Sequence, residues 1–372
     1  MNKIYFRNSM NWKSVTAVLC DKSEKIKCKI SLAERCENGD FVLDFDNEKY
    51  DHVYFSGGIR KKTSKIYPGA ISLGVEYKNN ENMKRPLTYL FSKDIPTTGR
   101  VDNYVLSDEK NLSHRDDGSK KISIFVPSSY DGKTPHDILY FFDAQNLFCG
   151  AGDYTENGDP YGSWQLDTVL AQIHAQYGRN IIVVGIDNAD KYRSNELFMN
   201  PDEFGKLSLL ATAIPEDNFS TGYLDGLADF MRDTLHPFLK EKYCVSEENI
   251  GIGGSSMGGI AAFYCGVRDE EHYSYILSYS PAYGLYEMSA FENWFEKKNF
   301  ASCKKLPKIH IYCGRGDVLE TQLIPSSKKM KRVLAKYGYP ADKIYETYDS
   351  AKLHNEESWR LVLPQSFEYL YQ

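Results

Sequence analysis

The stretch IGIGGSSMGGIAAFY, Ile250–Tyr264, decides how this chain is read. A short apolar run of strand character ends in two serines, and an apolar run of helical character begins at Met257. Gly254-Ser255-Ser256-Met257-Gly258 satisfies G-x-S-x-G, with Ser256 at its centre and Ser255 as a spacer. About 0.1 such matches arise by chance in a chain this long, so the setting has to carry the argument. It does, because a strand–turn–helix is what the motif requires. A serine on so sharp a turn is strained, and only small neighbours let strand and helix approach. Gly254, Gly258 and Gly259 supply that room. The helix N-terminus would point backbone N–H groups at a developing oxyanion. A phosphate-binding glycine turn is the competing reading, but no Walker lysine accompanies the glycines.

A serine hydroxyl needs a base. In the chain order Ser, acid, His, three histidines follow Ser256. His272 is one helix away, and His310 sits inside the strand-like run KIHIYCG. His354 follows the strand KIYETYD and precedes the last helix, where a histidine loop belongs. The acid should lie just beyond the preceding strand, in IYCGRGDVLE. Asp317 is first out of that turn and is the expected acid, with Glu320 as the alternative and Asp349 a weaker one. The loop in YFFDAQNLF offers a second oxyanion donor, which makes the backbone N–H groups of Gln145 and Met257 the expected pair. Arg193 and Glu196 read either as substrate contacts or as an ion pair bracing their loop, and Trp164 either as a pocket wall or as core.

Around this centre, residues 95–372 alternate strands with longer amphipathic segments, the pattern of a mostly parallel sheet with helices on both faces. Residues 1–94 read as short strands (KIYFRN, SVTAVLC, DFVLDF, HVYFSG) separated by Asn, Gly, Asp and Ser clusters, a small β-sandwich. SKDIPTTGR, residues 92–100, reads as the linker. The expected class is therefore α/β, an α/β-hydrolase sheet preceded by an immunoglobulin-like sandwich.

Composition excludes several functions. Net charge is -6, and no basic stripe suggests nucleic acid as a partner. No run approaches a membrane span. MNKIYFRNSMNW lacks the pattern of a signal peptide, so a cytoplasmic protein is expected. The eight cysteines show no CxxC pair or zinc spacing, so neither metal nor cofactor is expected, and buried free thiols are the favoured reading.

Seven separated motifs, LYFFDAQNLF, SWQLD, VVGIDN with Arg193 and Glu196-Leu197, LHPFL with Tyr243, GGSSMGG, YCGRGD and HNEESW, occur in the order seen in an esterase family that this chain resembles. That family includes enterochelin esterases, feruloyl and acetylxylan esterases, S-formylglutathione hydrolases and the antigen 85 mycolyltransferases. The resemblance covers roughly residues 100–372. It implies a metal-free α/β-hydrolase with Ser256 as nucleophile, Asp317 as acid, His354 as base, and Gln145 and Met257 as oxyanion donors. One departure is Ala144, where the family usually has glycine; alanine fits there if the backbone needs no positive φ. IYFRNSMNW and YDHVYFSGGIRKKTSKI resemble a starch-binding module of the family 25/26 type. That resemblance implies an α-glucan partner, with Tyr5 and Trp12 stacking on sugar rings; a structural or substrate-gating role is the other reading. Together they imply a serine esterase acting on a carbohydrate-linked or aromatic acyl ester, feruloyl or acetyl. Siderophore ester hydrolysis, acyl transfer to a sugar hydroxyl and a carbohydrate-binding protein with a scaffold hydrolase domain are the alternatives.

Overall fold

The structure is a computed structural model, which describes residues 2–7, 12–21, 23, 25–33, 41–46, 48–58, 61–62, 75–78, 84–91, 99–148, 164–188, 192–212, 221–349 and 352–371. The chain divides into two units, Met1–Thr97 with Arg360–Gln365, and Thr98–Trp359 with Ser366–Gln372.

The first unit holds β1 (Asn2–Arg7), β2 (Thr16–Cys20), β3 (Ile26–Ser31), β4 (Phe41–Phe45), β5 (His52–Gly58), β6 (Lys61–Lys62), β7 (Val75–Lys78) and β8 (Lys84–Phe91). They form two four-stranded antiparallel sheets, ordered β4-β1-β8-β7 and β3-β2-β5-β6. Phe6 of one sheet stacks on Phe55 of the other at 4.5 Å, and Phe41, Leu43, Phe45, Ala17, Leu19 and Val53 complete the shared core. Sequence periodicity finds β1, β2, β4 and β5 but misses β3, β6, β7 and β8. The edge strand β3, IKCKIS, alternates apolar residues with lysines yet is exposed along nearly its whole length, as an edge strand can be.

The second unit is built on one eight-stranded sheet: β9 (Gly99–Ser107), β10 (Ser119–Pro127), β11 (His136–Phe142), β12 (Ile181–Ile186), β13 (Val245–Ser255), β14 (Tyr275–Tyr279), β15 (Lys308–Gly314) and β16 (Ile344–Asp349). The order is β16-β15-β14-β13-β11-β12-β10-β9. The strands from β16 to β12 are parallel, while β10 and β9 run antiparallel at one edge. β11 and β12 are buried at every residue, as expected of strands covered on both faces. The helices are α1 (Leu166–Tyr177), α2 (Arg193–Glu196), α3 (Pro201–Phe204), α4 (Leu209–Thr212), α5 (Leu224–Phe230), α6 (His236–Lys242), α7 (Met257–Arg268), α8 (Met288–Lys298), α9 (Val318–Lys336), α10 (Glu356–Arg360) and α11 (Leu363–Tyr371). α5 and α6 are joined by a π-helical turn, Met231–Leu235.

The expected linker is partly a strand. Residues 92–98 lie outside the described residues, but Gly99 and Arg100 open β9. A Cβ on Gly99 would lie 2.1 Å from the carbonyl oxygen of Val126, so this glycine permits close strand pairing and does not break it.

Strand order reverses around β11: the chain runs from β11 outward to β12, then returns to β13 on the other side. Such a switch point, at the carboxyl ends of the strands, is where open α/β sheets place their ligands.

His310 lies fully inside the core of β15. Its Nδ1 is 2.7 Å from Ser366 Oγ and its Nε2 is 2.8 Å from Thr347 Oγ1. Burial pushes its pKa from 6.5 down to about 3. The folded state therefore resists protonation that the unfolded chain accepts near 6.5, so the stability tied to the neutral ring is full above that pH and is lost as pH falls toward the folded value. Thermal melts should show Tm declining already between pH 6.5 and 5, above the range where most carboxylates titrate. His310→Gln should flatten the curve in that window.

Candidate active site

β13 ends at Ser255 and α7 starts at Met257, leaving Ser256 alone at the corner. Its backbone sits at φ 55 and ψ -118, a conformation costing on the order of 1–3 kcal/mol and held only when the surroundings over-determine it. They do so here. The Ser256 N–H donates to the Tyr279 carbonyl at 2.9 Å, and its own carbonyl accepts from Ala282 N–H at 3.1 Å. A Cβ on Gly254 would lie 2.4 Å from the Gly258 carbonyl oxygen, and one on Gly259 2.7 Å from that of Tyr279. Strand and helix meet at backbone contact, which glycine alone allows. α7 is buried from Met257 to Val267, so its N-terminus is fixed against the end of the sheet. The N–H of Met257, first in that helix, has no acceptor within its own helix.

The histidine loop and the acid loop meet at Glu320, whose partner Ser280 follows Tyr279, the acceptor of the Ser256 N–H. His354 Nδ1 lies 3.0 Å from Glu320 Oε1. Glu320 is wholly buried, and it also accepts from Ser280 Oγ at 2.5 Å and from the Gly314 N–H at 2.7 Å. Asp317, the expected acid, makes different contacts. Its Oδ1 accepts from the Glu320 N–H at 2.8 Å and its Oδ2 from the His354 backbone N–H at 2.7 Å. Asp317 is the N-cap of α9, and its short side chain is used up capping. The imidazole is reached from one turn further on, by the longer side chain at the third helical position. Asp-x-x-Glu is a capping-box spacing, and that signal in DVLE marks Asp317 as the cap. Asp349 ends β16, opposite Gly314.

Two further residues support this arrangement. Trp359 donates its indole N–H to Ser280 Oγ at 2.8 Å, and its ring meets the His354 ring edge-on at 4.9 Å. Ser280 thus links the indole to the carboxylate, a role no spacing rule reveals. Trp164 backs Trp359, stacked at 5.7 Å, and is only 1% exposed. It is core and not a pocket wall.

β11 pairs directly with β13, with Phe141 opposite Gly253, so the loop after β11 comes out beside Ser256. Gln145 lies in the helical turn Ala144–Asn146 of that loop. The positive φ falls on Asp143 (φ 61, ψ 57), leaving Ala144 in place of the family's glycine without left-handed strain. Gly185 on β12 leaves room for the alanine, because a Cβ there would lie 3.0 Å from that of Ala144. Asn146 ties the loop to α10 through a 2.9 Å hydrogen bond from its amide to Glu356 Oε1.

Arg193 and Glu196 do not pair with each other. Arg193 forks onto Asp143, with Nε to Oδ1 at 2.6 Å and Nη2 to Oδ2 at 2.9 Å. Glu196 is buried against Lys120, His114 and Arg115. Burial alone would raise its pKa, but hydrogen bonds from His114, Lys120 and Arg115 and the lysine charge outweigh that and hold it at about 2.

The sugar-stacking expectation for the first unit is not met at Trp12. It is 7% exposed, 5.7 Å from Phe6, and so close to Gly57 that a Cβ there would lie 2.3 Å from its ring. Tyr5 lies on β1 opposite Val42, and its side chain is outside what the structure describes. No helix among the described residues is long and apolar enough to cross a membrane.

The fold is similar to that of solved esterases. The siderophore hydrolase EstA from Aspergillus nidulans aligns at a TM-score of 0.55 and 14% identity, over 76% of this chain and 97% of that one. The enterobactin esterase FES from Shigella flexneri aligns at 0.51 and 11%, over 97% of this chain and 88% of that one. A feruloyl esterase module from Clostridium thermocellum aligns at 0.50 and 15%, over 81% and 95%. A family model described as "Putative esterase" matches residues 113–370, well over half of the chain, so this protein belongs to that family of carboxylic ester hydrolases.

Proposed function

We propose that this protein hydrolyses an ester of an aromatic, phenolic acid through an acyl-enzyme on Ser256. The reading is supported by the strained serine at the strand–helix corner, together with a histidine whose Nδ1 faces a buried carboxylate. Ser256 Oγ attacks the ester carbonyl while His354, through Nε2, takes its proton. Glu320 fixes the imidazole tautomer and stabilises the imidazolium. The backbone N–H groups of Met257 and Gln145 receive the oxyanion. His354 then protonates the leaving alcohol, and water, activated by the same nitrogen, releases the acid. Asp317 holds the acid and base loops through their main chains. The aromatic acyl preference draws support from structural neighbours named for ferulic acid and for siderophores, one of them complexed with sinapinate and another solved in the presence of 2,3-dihydroxy-N-benzoyl-glycine. The burial of Trp12 weakens the route to a carbohydrate through the first unit.

A panel of feruloyl, dihydroxybenzoyl and acetyl esters sharing one alcohol tests the acyl preference. The expected result is kcat/KM at least tenfold higher for the aromatic acyl groups. Faster turnover of the acetyl ester would overturn the aromatic assignment and leave the esterase assignment standing.

A further inference from the structure

We propose that Arg193 is a positioning residue for ester hydrolysis, acting through Asp143 to hold the oxyanion loop in place and to neutralise a carboxylate that would otherwise oppose the oxyanion. This rests on the assignment of Gln145 and Met257 as oxyanion donors. Asp143 is two residues before Gln145 and carries the loop's positive φ, a left-handed conformation that aspartate enters more readily than most residues. Its carbonyl accepts from the Asn146 N–H at 3.1 Å, closing the turn that contains Gln145. Its side chain is nine-tenths buried, and a Cβ on Gly258 would lie 3.0 Å from Asp143 Oδ2. The carboxylate therefore rests against Gly258, in the first turn of α7.

That placement has an electrostatic consequence. A negative charge forms on the substrate oxygen in the transition state, and a bare carboxylate on the same helix turn would disfavour it. The Arg193 fork cancels that charge and, being planar and bidentate, also fixes the orientation of the carboxylate. Arg193 is itself anchored. Three residues on, Glu196 of the same helical turn is buried against Lys120, Arg115 and His114, and His114 stacks on Tyr223 at 4.3 Å. The chain of contacts runs from that cluster through α2 to Asp143 and the donor loop.

The test is steady-state kinetics on a p-nitrophenyl ester, with fluorophosphonate labelling of Ser256 and thermal melts for every variant. Arg193→Ala should lower kcat about 10- to 100-fold with KM changed less than about threefold, the signature of a contribution made in the transition state. Arg193→Lys should recover only part of the loss, because an ammonium has no fork. Asp143→Asn in the Arg193→Ala background should raise kcat above the single variant, because asparagine tolerates the left-handed backbone and carries no charge. A residue serving stability alone would lower Tm and gain no activity from the second substitution. Full kcat in Arg193→Ala, or a double variant no faster than the single one, overturns the proposal. If Arg193→Ala does not fold, Arg193→Lys decides it: a partial loss of kcat with Tm little changed supports the proposal, and full kcat overturns it. A wild type that neither turns over esters nor labels at Ser256 would remove the underlying function as well, a pattern distinct from failure of the Arg193 proposal alone.

Discussion

Ser256→Ala should reduce ester hydrolysis on the order of a millionfold in kcat, the scale seen when a nucleophile is lost from a unit whose members act together. The variant should take up no fluorophosphonate, whereas the wild type labels at Ser256. Stability should be nearly unchanged. Alanine keeps the Cβ, so it bears the same strain at φ 55 and ψ -118, and the backbone hydrogen bonds at that residue do not involve the hydroxyl. Ser256→Gly provides the complementary measurement. Glycine removes the Cβ from a positive-φ site, so this variant should be equally inactive yet more stable, by about 1 kcal/mol. A rise in Tm accompanied by loss of activity would show that the corner stores strain for the nucleophile. Residual hydrolysis above about 1% in Ser256→Ala, with undiminished labelling, would move the nucleophile elsewhere.

The parts of this molecule legible from sequence are those where one local rule decides the structure. The corner at Ser256 is one, since glycines, an apolar strand and an apolar helix leave no other arrangement for Gly254–Gly259. The buried parallel strands β11 and β12 are another, because continuous apolar runs have few alternatives. What the sequence leaves open depends on contacts across the chain. Asp317 and Glu320 compete for one imidazole, and the outcome turns on which carboxylate the α9 N-terminus claims first. Arg193 and Glu196 are three residues apart, yet each finds a partner at least 50 positions away in sequence. Trp12 and Trp164 are aromatic in ways that suit a surface platform as well as a core, and only packing against Phe6, Gly57 and Trp359 separates the two. β9 went unread because its residues alternate between exposed and half-buried, giving an edge strand no apolar face.

Glu320 and Asp317 give the second large effect, and their ranking is the sharpest statement about the acid. Glu320→Gln should lower kcat about 10³- to 10⁴-fold. Its amide would still fill the space between Ser280, Gly314 and His354, but it removes the charge that stabilises an imidazolium, and its N–H can present a donor where Nδ1 needs an acceptor. Asp317→Asn should cost about tenfold or less. An asparagine oxygen still caps α9 by accepting from the Glu320 N–H, and only the acceptor for the His354 backbone N–H is lost. Asp317→Ala removes both and should cost about 1 kcal/mol of stability as well, as lost N-caps do. Chemical rescue separates the roles further. In Glu320→Ala the excised carboxylate leaves a buried gap lined by three hydrogen-bond donors, so added formate should restore part of kcat. In Asp317→Ala the donors are backbone N–H groups in loops that relax once uncapped, so formate should do little. If Asp317→Asn proved the more damaging substitution, or if formate rescued Asp317→Ala alone, the acid would be Asp317, and the Glu320–His354 contact would be a structural hydrogen bond.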